Sequence, residues 1–294
     1  SATTYVANAT TLVGEATDAL TESNEAKALA DTAVAEAKTT AVANIMEEFE
    51  AHAGAGMDAI GTEDMQIPFL RILQPLSPQL IKSDPKYIKG ASAGDLFNTV
   101  TGEFWEAEQG VVVIPCGYTV KYLEFIDKEA GGGFVGELNP DDENVRNTQR
   151  MGSKEILPSG NELVRSAQHL VMIVNPETGG TQTAICDLKK TGIKVSKRWN
   201  TMMRMVQYQG KNGPFNPPMW GTVWKLTGIQ ESNDKGSWFN LSVEKMEPTE
   251  VPGSALQAAK SFFESFQKGE IKTSAVSSEE AEPKAAVNDE DLPF

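Results

Sequence analysis

Cysteine and histidine are nearly missing from this chain of 294 residues: Cys116 and Cys186, each beside apolar neighbours, and His52 and His169 are the full supply. No four-ligand zinc spacing can be written from them, and two distant thiols make no disulfide framework, so a reducing, cytosolic compartment is expected. Long apolar runs are absent too. Nothing approaches the roughly 18 apolar residues that span a bilayer. No charged start precedes an apolar stretch, as a secretory signal requires, since the first lysine is Lys27. The expectation is a chain neither secreted nor inserted in a membrane. Cations are outnumbered: 26 Lys plus Arg face 41 Asp plus Glu, a formal charge of −15. Taken as a whole, that charge argues against a nucleic-acid partner.

The distribution of charge reverses this inference. The acids concentrate at the two ends: residues 1–66 carry Glu15, Asp18, Glu22, Glu25 and eight more against Lys27 and Lys38, and residues 270–294 carry seven acids against Lys272 and Lys284. The body between them is neutral. Within it, residues 188–225 hold Lys189, Lys190, Lys194, Lys197, Arg198, Arg204, Lys211 and Lys225 with no acid. A neutral body with one basic zone and two acidic ends is compatible with a polyanionic ligand.

Periodicity divides the chain into four segments. Residues 1–62 form an acidic, Ala-rich extension in which Val34, Ala37, Ala41, Ile45 and Phe49 recur at helical spacing. That spacing predicts a helix over 32–51, ended by the Gly-containing run at 53–56 and serving either as a solubilising extension or as an oligomerisation or partner helix, which would make the chain a homo-oligomer. Residues 63–250 read as strands, predicted at 111–126, 168–175, 181–188, 220–230 and 236–247, with a long mobile insertion between Gly131 and Gly160. Between the third and fourth strands, 194–208 switches to a period of 3.6. Val195, Trp199, Met202, Met203 and Val206 share one face, and the cations share the other. Strand, strand, strand, helix, strand, strand is the order of a mainly β, five-stranded OB barrel, a fold that binds oligonucleotides or oligosaccharides. Residues 251–269 form a helix with Ser254 as its cap, and 270–294 a disordered acidic tail.

Binding a single strand without reading its sequence needs cations along the phosphates and aromatic faces for the bases. All eight cations of the basic zone are candidates, with Lys189, Lys190, Lys211 and Lys225 on strand ends and loops favoured over those of the helix. Strand alternation selects Tyr122, Trp220, Trp224 and Trp238 as stacking candidates and assigns Phe239, Leu241 and Val243 to the core, while Trp199, at the head of the apolar stripe of the helix, is expected in the core as well. Catalytic constellations are not found. Asp141-Asp142-Glu143 point in different directions, Gly131–Gly133 lack the context of a phosphate loop, and neither histidine belongs to a triad. No enzyme activity, metal or cofactor is expected.

The last residues, Asp289, Glu290, Asp291, Leu292, Pro293 and Phe294, are similar to the acidic tip of bacterial single-stranded DNA-binding proteins. A terminal Phe fits an apolar pocket while its carboxylate and the acids meet a basic rim. Further matches are Glu63–Phe69 with Gln74, Gly94-Asp95-Leu96-Phe97-Asn98, Lys197-Arg198-Trp199-Asn200 and Ser232–Phe239. On these the chain resembles phage-encoded single-stranded DNA-binding proteins. The resemblance implies an OB barrel that coats single-stranded DNA in the cytoplasm of the infected bacterial host. It also implies an acidic tail that recruits phage or host polymerase, primase or helicase and competes with DNA, with no metal and no catalysis. The alternatives are a virion structural or decoration protein and a strand-annealing recombination protein.

Overall fold

The computed structural model describes residues 2–57, 59–60, 66–127, 130–234 and 236–276. The chain divides into two compact units, Ser1–Gly61 and Thr62–Phe294. The first is built on one helix, α1 (Ala2–Ala51), which begins thirty residues earlier than the apolar spacing predicts. Alanine supplies the helix propensity. Threonine, ordinarily a weak helix former, returns its hydroxyl to the carbonyl four residues back at Thr10, Thr17, Thr21, Thr32, Thr39 and Thr40. Gly54 and Gly56, both with φ above +80°, turn the chain after α1.

The second unit opens with three short antiparallel strands, β1 (Leu70–Ile72), β2 (Leu96–Asn98) and β3 (Phe104–Trp105). Its body is an eight-stranded antiparallel sheet. In chain order the strands are β4 (Val111–Ile126), β5 (Gly133–Leu138), β6 (Gln149–Met151), β7 (Lys154–Ile156), β8 (Glu162–Val174) and β9 (Thr181–Lys189). Helix α2 (Glu143–Arg146) lies between β5 and β6, and helix α3 (Gly192–Met205) follows β9. The hairpin β10 (Tyr208–Gly210) and β11 (Gly213–Phe215) stands apart from the sheet. Strands β12 (Val223–Asn233) and β13 (Gly236–Met246) complete the sheet, and α4 (Gly253–Gln267) follows.

Each of the five expected strands is present, and their spatial order is β9-β8-β4-β12-β13. The expected barrel is not: the unit mixes helix with antiparallel sheets, and none of them closes. The physical reason is β1, which lies between the two edges. Pro68 accepts a hydrogen bond from Ile185 N at 2.8 Å, and Phe69 makes a single parallel bridge to Ile185. On the other edge the Gln74 side chain engages β13, donating to Phe239 O at 2.9 Å and accepting from Phe239 N at 3.0 Å.

Two further expectations change. The insertion is structured, because β5 pairs with β4 and β7 with β8. Its consecutive acids hold α2: Asp142 caps Asn144 N, and Asp141 pairs with Arg146. Helix α4 starts after Pro252 without a side-chain cap from Ser254.

Both faces of the sheet are buried. On one, Val113, Val171, Trp224 and Leu226 pack with Val195 and Trp199 of α3. On the other, Ile114, Cys116, Met172, Val174 and Val223 are covered by Ala255 and Ala259 of α4. The bulge between Pro115 and Gly117 helps seat α4, since a Cβ at Gly117 would lie 2.7 Å from the Phe266 ring. A tighter approach occurs at Gly228, where a Cβ would collide with the Gly94 carbonyl oxygen. That neighbour is backbone and has no rotamer in which to retreat. Gly228→Ala is therefore expected to lower the unfolding free energy by about 1–3 kcal/mol, read as a lower urea midpoint. An unchanged midpoint would mean that the two segments separate freely.

Candidate nucleic-acid interface

Helix α3 is amphipathic, as its spacing predicts. Trp199 is fully buried, stacked on His169 with ring centroids 4.4 Å apart and edge-on to Trp224 at 6.3 Å. His169 Nε2 lies 2.9 Å from Ser196 Oγ, which ties the helix to β8. Burial pushes the His169 pKa down to about 3, because no charge stands by to compensate a buried imidazolium. The opposite face of α3 exposes Lys197, Arg198 and Arg204.

Ion pairing divides the eight sequence-predicted cations. Lys189 Nζ is 2.8 Å from Asp187, which also accepts from Arg71 at 3.2 Å. Lys190 pairs with Glu162 at 2.9 Å and Lys194 with Glu231 at 2.8 Å. The Lys194 hydrogen bond, followed by that of Asn240, holds the Glu231 carboxyl below the usual range, so this pair stays ionised. Lys197, Arg198, Arg204, Lys211 and Lys225 form no ion pair with any described residue. Of the two strand-end lysines favoured over the helix, Lys190 thus faces Glu162 of β8, and Lys189 faces Asp187 of its own strand, a carboxylate that Arg71 shares.

Four of the five unpaired cations lie along α3 and the hairpin after it. Asn216 Nδ2 donates to the Arg204 and Val206 carbonyls at 3.1 and 2.9 Å, pinning the base of the hairpin to the end of the helix. Tyr208 pairs across the strands with Phe215, their rings 6.2 Å apart and edge-on. Lys245 lies 5.5 Å over the Tyr208 ring, while Phe215 keeps 47% of its surface exposed. Lys211 sits in the turn between the strands. Arg204 and Met205 at the end of the helix, and Lys211 and Phe215 on the hairpin pinned to it, are all exposed.

Trp238 joins this surface at the other end of α3. Its indole N–H donates to Glu231 Oε2 at 3.0 Å, and the second oxygen of that carboxylate holds Lys194. Arg198, Lys194, Ile229 and Glu231 line a shallow cavity of about 220 Å³ at the same place. The half-buried Trp238 is the stacking candidate that the fold brings to the basic face.

The other three are elsewhere. Trp224 is fully buried with its N–H donated to Thr222 at 2.8 Å, and cannot stack on a base. Alternation misleads there because helices cover both faces of the sheet, so Val223 and Trp224 are both core. Trp220 lies in the 3₁₀ turn Met219–Gly221, where strand alternation does not apply, and is half-buried near α4 with Lys260 5.8 Å from its ring. Tyr122 is half-buried on β4, opposite Arg165 and Leu138. Lys225 is half-buried and lines a separate cavity of about 690 Å³ with Trp105 and Gln182.

Phe215 and Tyr208 are the functional candidates that sequence reasoning passed over. The available signal was Asn212-Gly213, a hairpin turn between two aromatic residues. The tip residues Asp289, Glu290, Asp291, Leu292, Pro293 and Phe294 lie outside the described residues, as do Glu63, Asp64 and Met65. The segment expected to be disordered from Glu270 is in part held. Gln168 Nε2 donates to the Ser274 and Ala275 carbonyls at 3.0 and 3.3 Å, and Val276 is buried.

Both thiols are buried and free, and burial raises the pKa of each, that of Cys116 to about 12. Among the described residues, no group of three or more His, Cys, Asp or Glu is arranged to hold a metal ion. No helix among them is long and apolar enough to cross a membrane. In comparisons with known proteins, the family model described as Pam3 phage gp34-like protein matches residues 35–272. No curated protein and no solved structure matches the chain.

Proposed function

From the premise that this chain belongs to the Pam3 phage gp34-like protein family, whose name indicates a bacteriophage origin, we propose that it binds single-stranded DNA without reading its sequence. The observation that carries the proposal is the surface of α3 and the β10–β11 hairpin. Unpaired Lys197, Arg198, Arg204 and Lys211 stand there beside exposed Phe215, with Trp238 at one end. Cations in a row neutralise successive phosphates, and flat rings accept any base. The Lys194–Glu231 pair at the edge of the surface leaves its net charge positive.

The strand order supports the same reading. β9-β8-β4-β12-β13, with a helix entering between the third and fourth of these strands in the chain, is compatible with an OB barrel opened at one seam and filled there by β1. In such barrels the turn between the last two strands belongs to the oligonucleotide site, and here β13 carries Trp238 just past that turn. The work done would be coating of single strands during phage replication or recombination, with the acidic C-terminal residues recruiting replication proteins.

The test is a fluorescence-anisotropy titration of a labelled thirty-nucleotide oligo-dT with the full chain at two salt concentrations, with duplex of equal charge in parallel. Saturable binding to the single strand, weakened by salt and much weaker for duplex, is the expected result. No binding to the single strand at low salt would overturn the proposal and favour a place in the virion.

A further inference from the structure

Helix α1 carries a seam of exposed side chains. Every side chain described on it is exposed, Val6, Val13, Leu20 and Val34 among them at 52–66%. A single helix of this kind gains almost nothing from burial, and most helix stability in proteins comes from packing an apolar face. The sequence nevertheless segregates with a seven-residue period. Val6, Val13, Leu20, Lys27 and Val34 fall on one heptad position, called a here, and Ala9, Ala16, Ser23, Ala30 and Ala37 on the position d beside it. Tyr5, Leu12, Ala19, Ala26 and Ala33 extend the stripe on the flanking position g. From Tyr5 to Ala37 none of these positions bears an acid. The acids Glu15, Glu22 and Glu36 occupy c, and Asp18 and Glu25 occupy f, on the opposite side.

We propose that α1 self-associates, in parallel and in register, with the same helix of further copies of this chain. The pattern is self-complementary in that arrangement: valine and leucine layers alternate with alanine layers, and the small residues let the helix backbones approach. A strict seven-residue repeat over nearly five heptads is what a left-handed supercoil requires, whereas a helix packed on a globular body follows 3.6. Lys27, the one cation on the seam, fixes the register at a cost in stability, and Asp31 one turn on is placed to neutralise it. The area is sufficient. From Val6 to Ala37 the seam is about 47 Å long and about 10 Å wide. A pair of helices then covers on the order of 1,000 Å², the size at which an interface becomes specific. The segregated acids point into solvent, where they keep the assembly soluble.

The experiment is light scattering on the full chain after gel filtration, from about 1 to 100 μM, with helical circular dichroism at the same concentrations. The expected result is a mass of two or more protomers. The double substitution Val13→Asp and Leu20→Asp should reduce it to one protomer, while Glu22→Gln with Glu25→Gln on the outer face leaves it unchanged. Because aspartate is also a weak helix former, a second variant works in the opposite direction: Lys27→Leu should hold the assembly together at concentrations at least tenfold lower. A monomer at every concentration would overturn the proposal. So would an oligomer that neither the seam aspartates nor Lys27→Leu affects, because its contact would then lie elsewhere.

Discussion

Lowering the pH from 7 to 5 is expected to remove about 2 kcal/mol from the stability of the strand-rich unit, through one residue. His169 is buried in the folded chain with its pKa lowered to about 3, against about 6.5 in the unfolded chain. Below pH 6.5 the unfolded state takes up a proton that the folded state refuses. The stabilisation is therefore complete above about pH 6.5 and is lost as the pH falls toward 3, by about 1.4 kcal/mol per pH unit. The structural basis is direct: one ring nitrogen faces Ser196, the other has no partner, and the ring is sandwiched by Trp199 and Tyr118. Urea unfolding followed by Trp fluorescence at pH 7, 6 and 5 measures it. The same series on His169→Gln should be nearly flat over that range, at a lower overall stability. A wild-type curve that is itself flat would show that His169 accepts a proton in place.

Removing the four unpaired cations of the helix-and-hairpin surface is expected to cost the most affinity for single strands. Replacing Lys197, Arg198, Arg204 and Lys211 together by glutamine deletes up to four phosphate contacts. The dependence of log affinity on log salt should become shallower by about 3, and affinity at 0.1 M salt should fall by a factor on the order of 10² to 10³. Folding should be untouched, because these side chains are exposed and no described residue pairs with them. Lys121→Gln is the matched control, since Lys121 is already paired with Glu137 at 2.7 Å. Equal losses in the control and the quadruple variant would mean that the contacts are not on this surface.

The contrast between these four cations and Lys189, Lys190 and Lys194 shows how far the sequence could be read. Composition and spacing placed a basic zone and an amphipathic helix, and both exist. Spacing cannot pair Lys190 with Glu162 or Lys194 with Glu231, because those contacts depend on which strands become neighbours. Similarly, alternation is informative for a strand with one wet face, and it sorted Leu241 and Val243 into the core, whereas Phe239, assigned to the same face, is only half-buried. It failed at Trp224, where α3 and α4 bury both faces. The five-strand order was legible because each strand is β-branched and bounded by turns. The missing closure was not, because it depends on β1, a three-residue strand in a proline-rich lead-in. The length of α1 was underestimated for another reason: an apolar 3.6 period was sought, and alanine with threonine back-bonding carries the helix without one.

The decisive observation is where a single strand lies on the protein. Ultraviolet cross-linking of oligo-dT carrying photoreactive thymine analogues to the full chain, followed by mass-spectrometric mapping of the adducts, addresses this directly. Adducts concentrated on Tyr208, Phe215 and Trp238, and lost when unlabelled oligo-dT competes, are the predicted result. Adducts that avoid these residues, or no cross-linking at low salt, would contradict it.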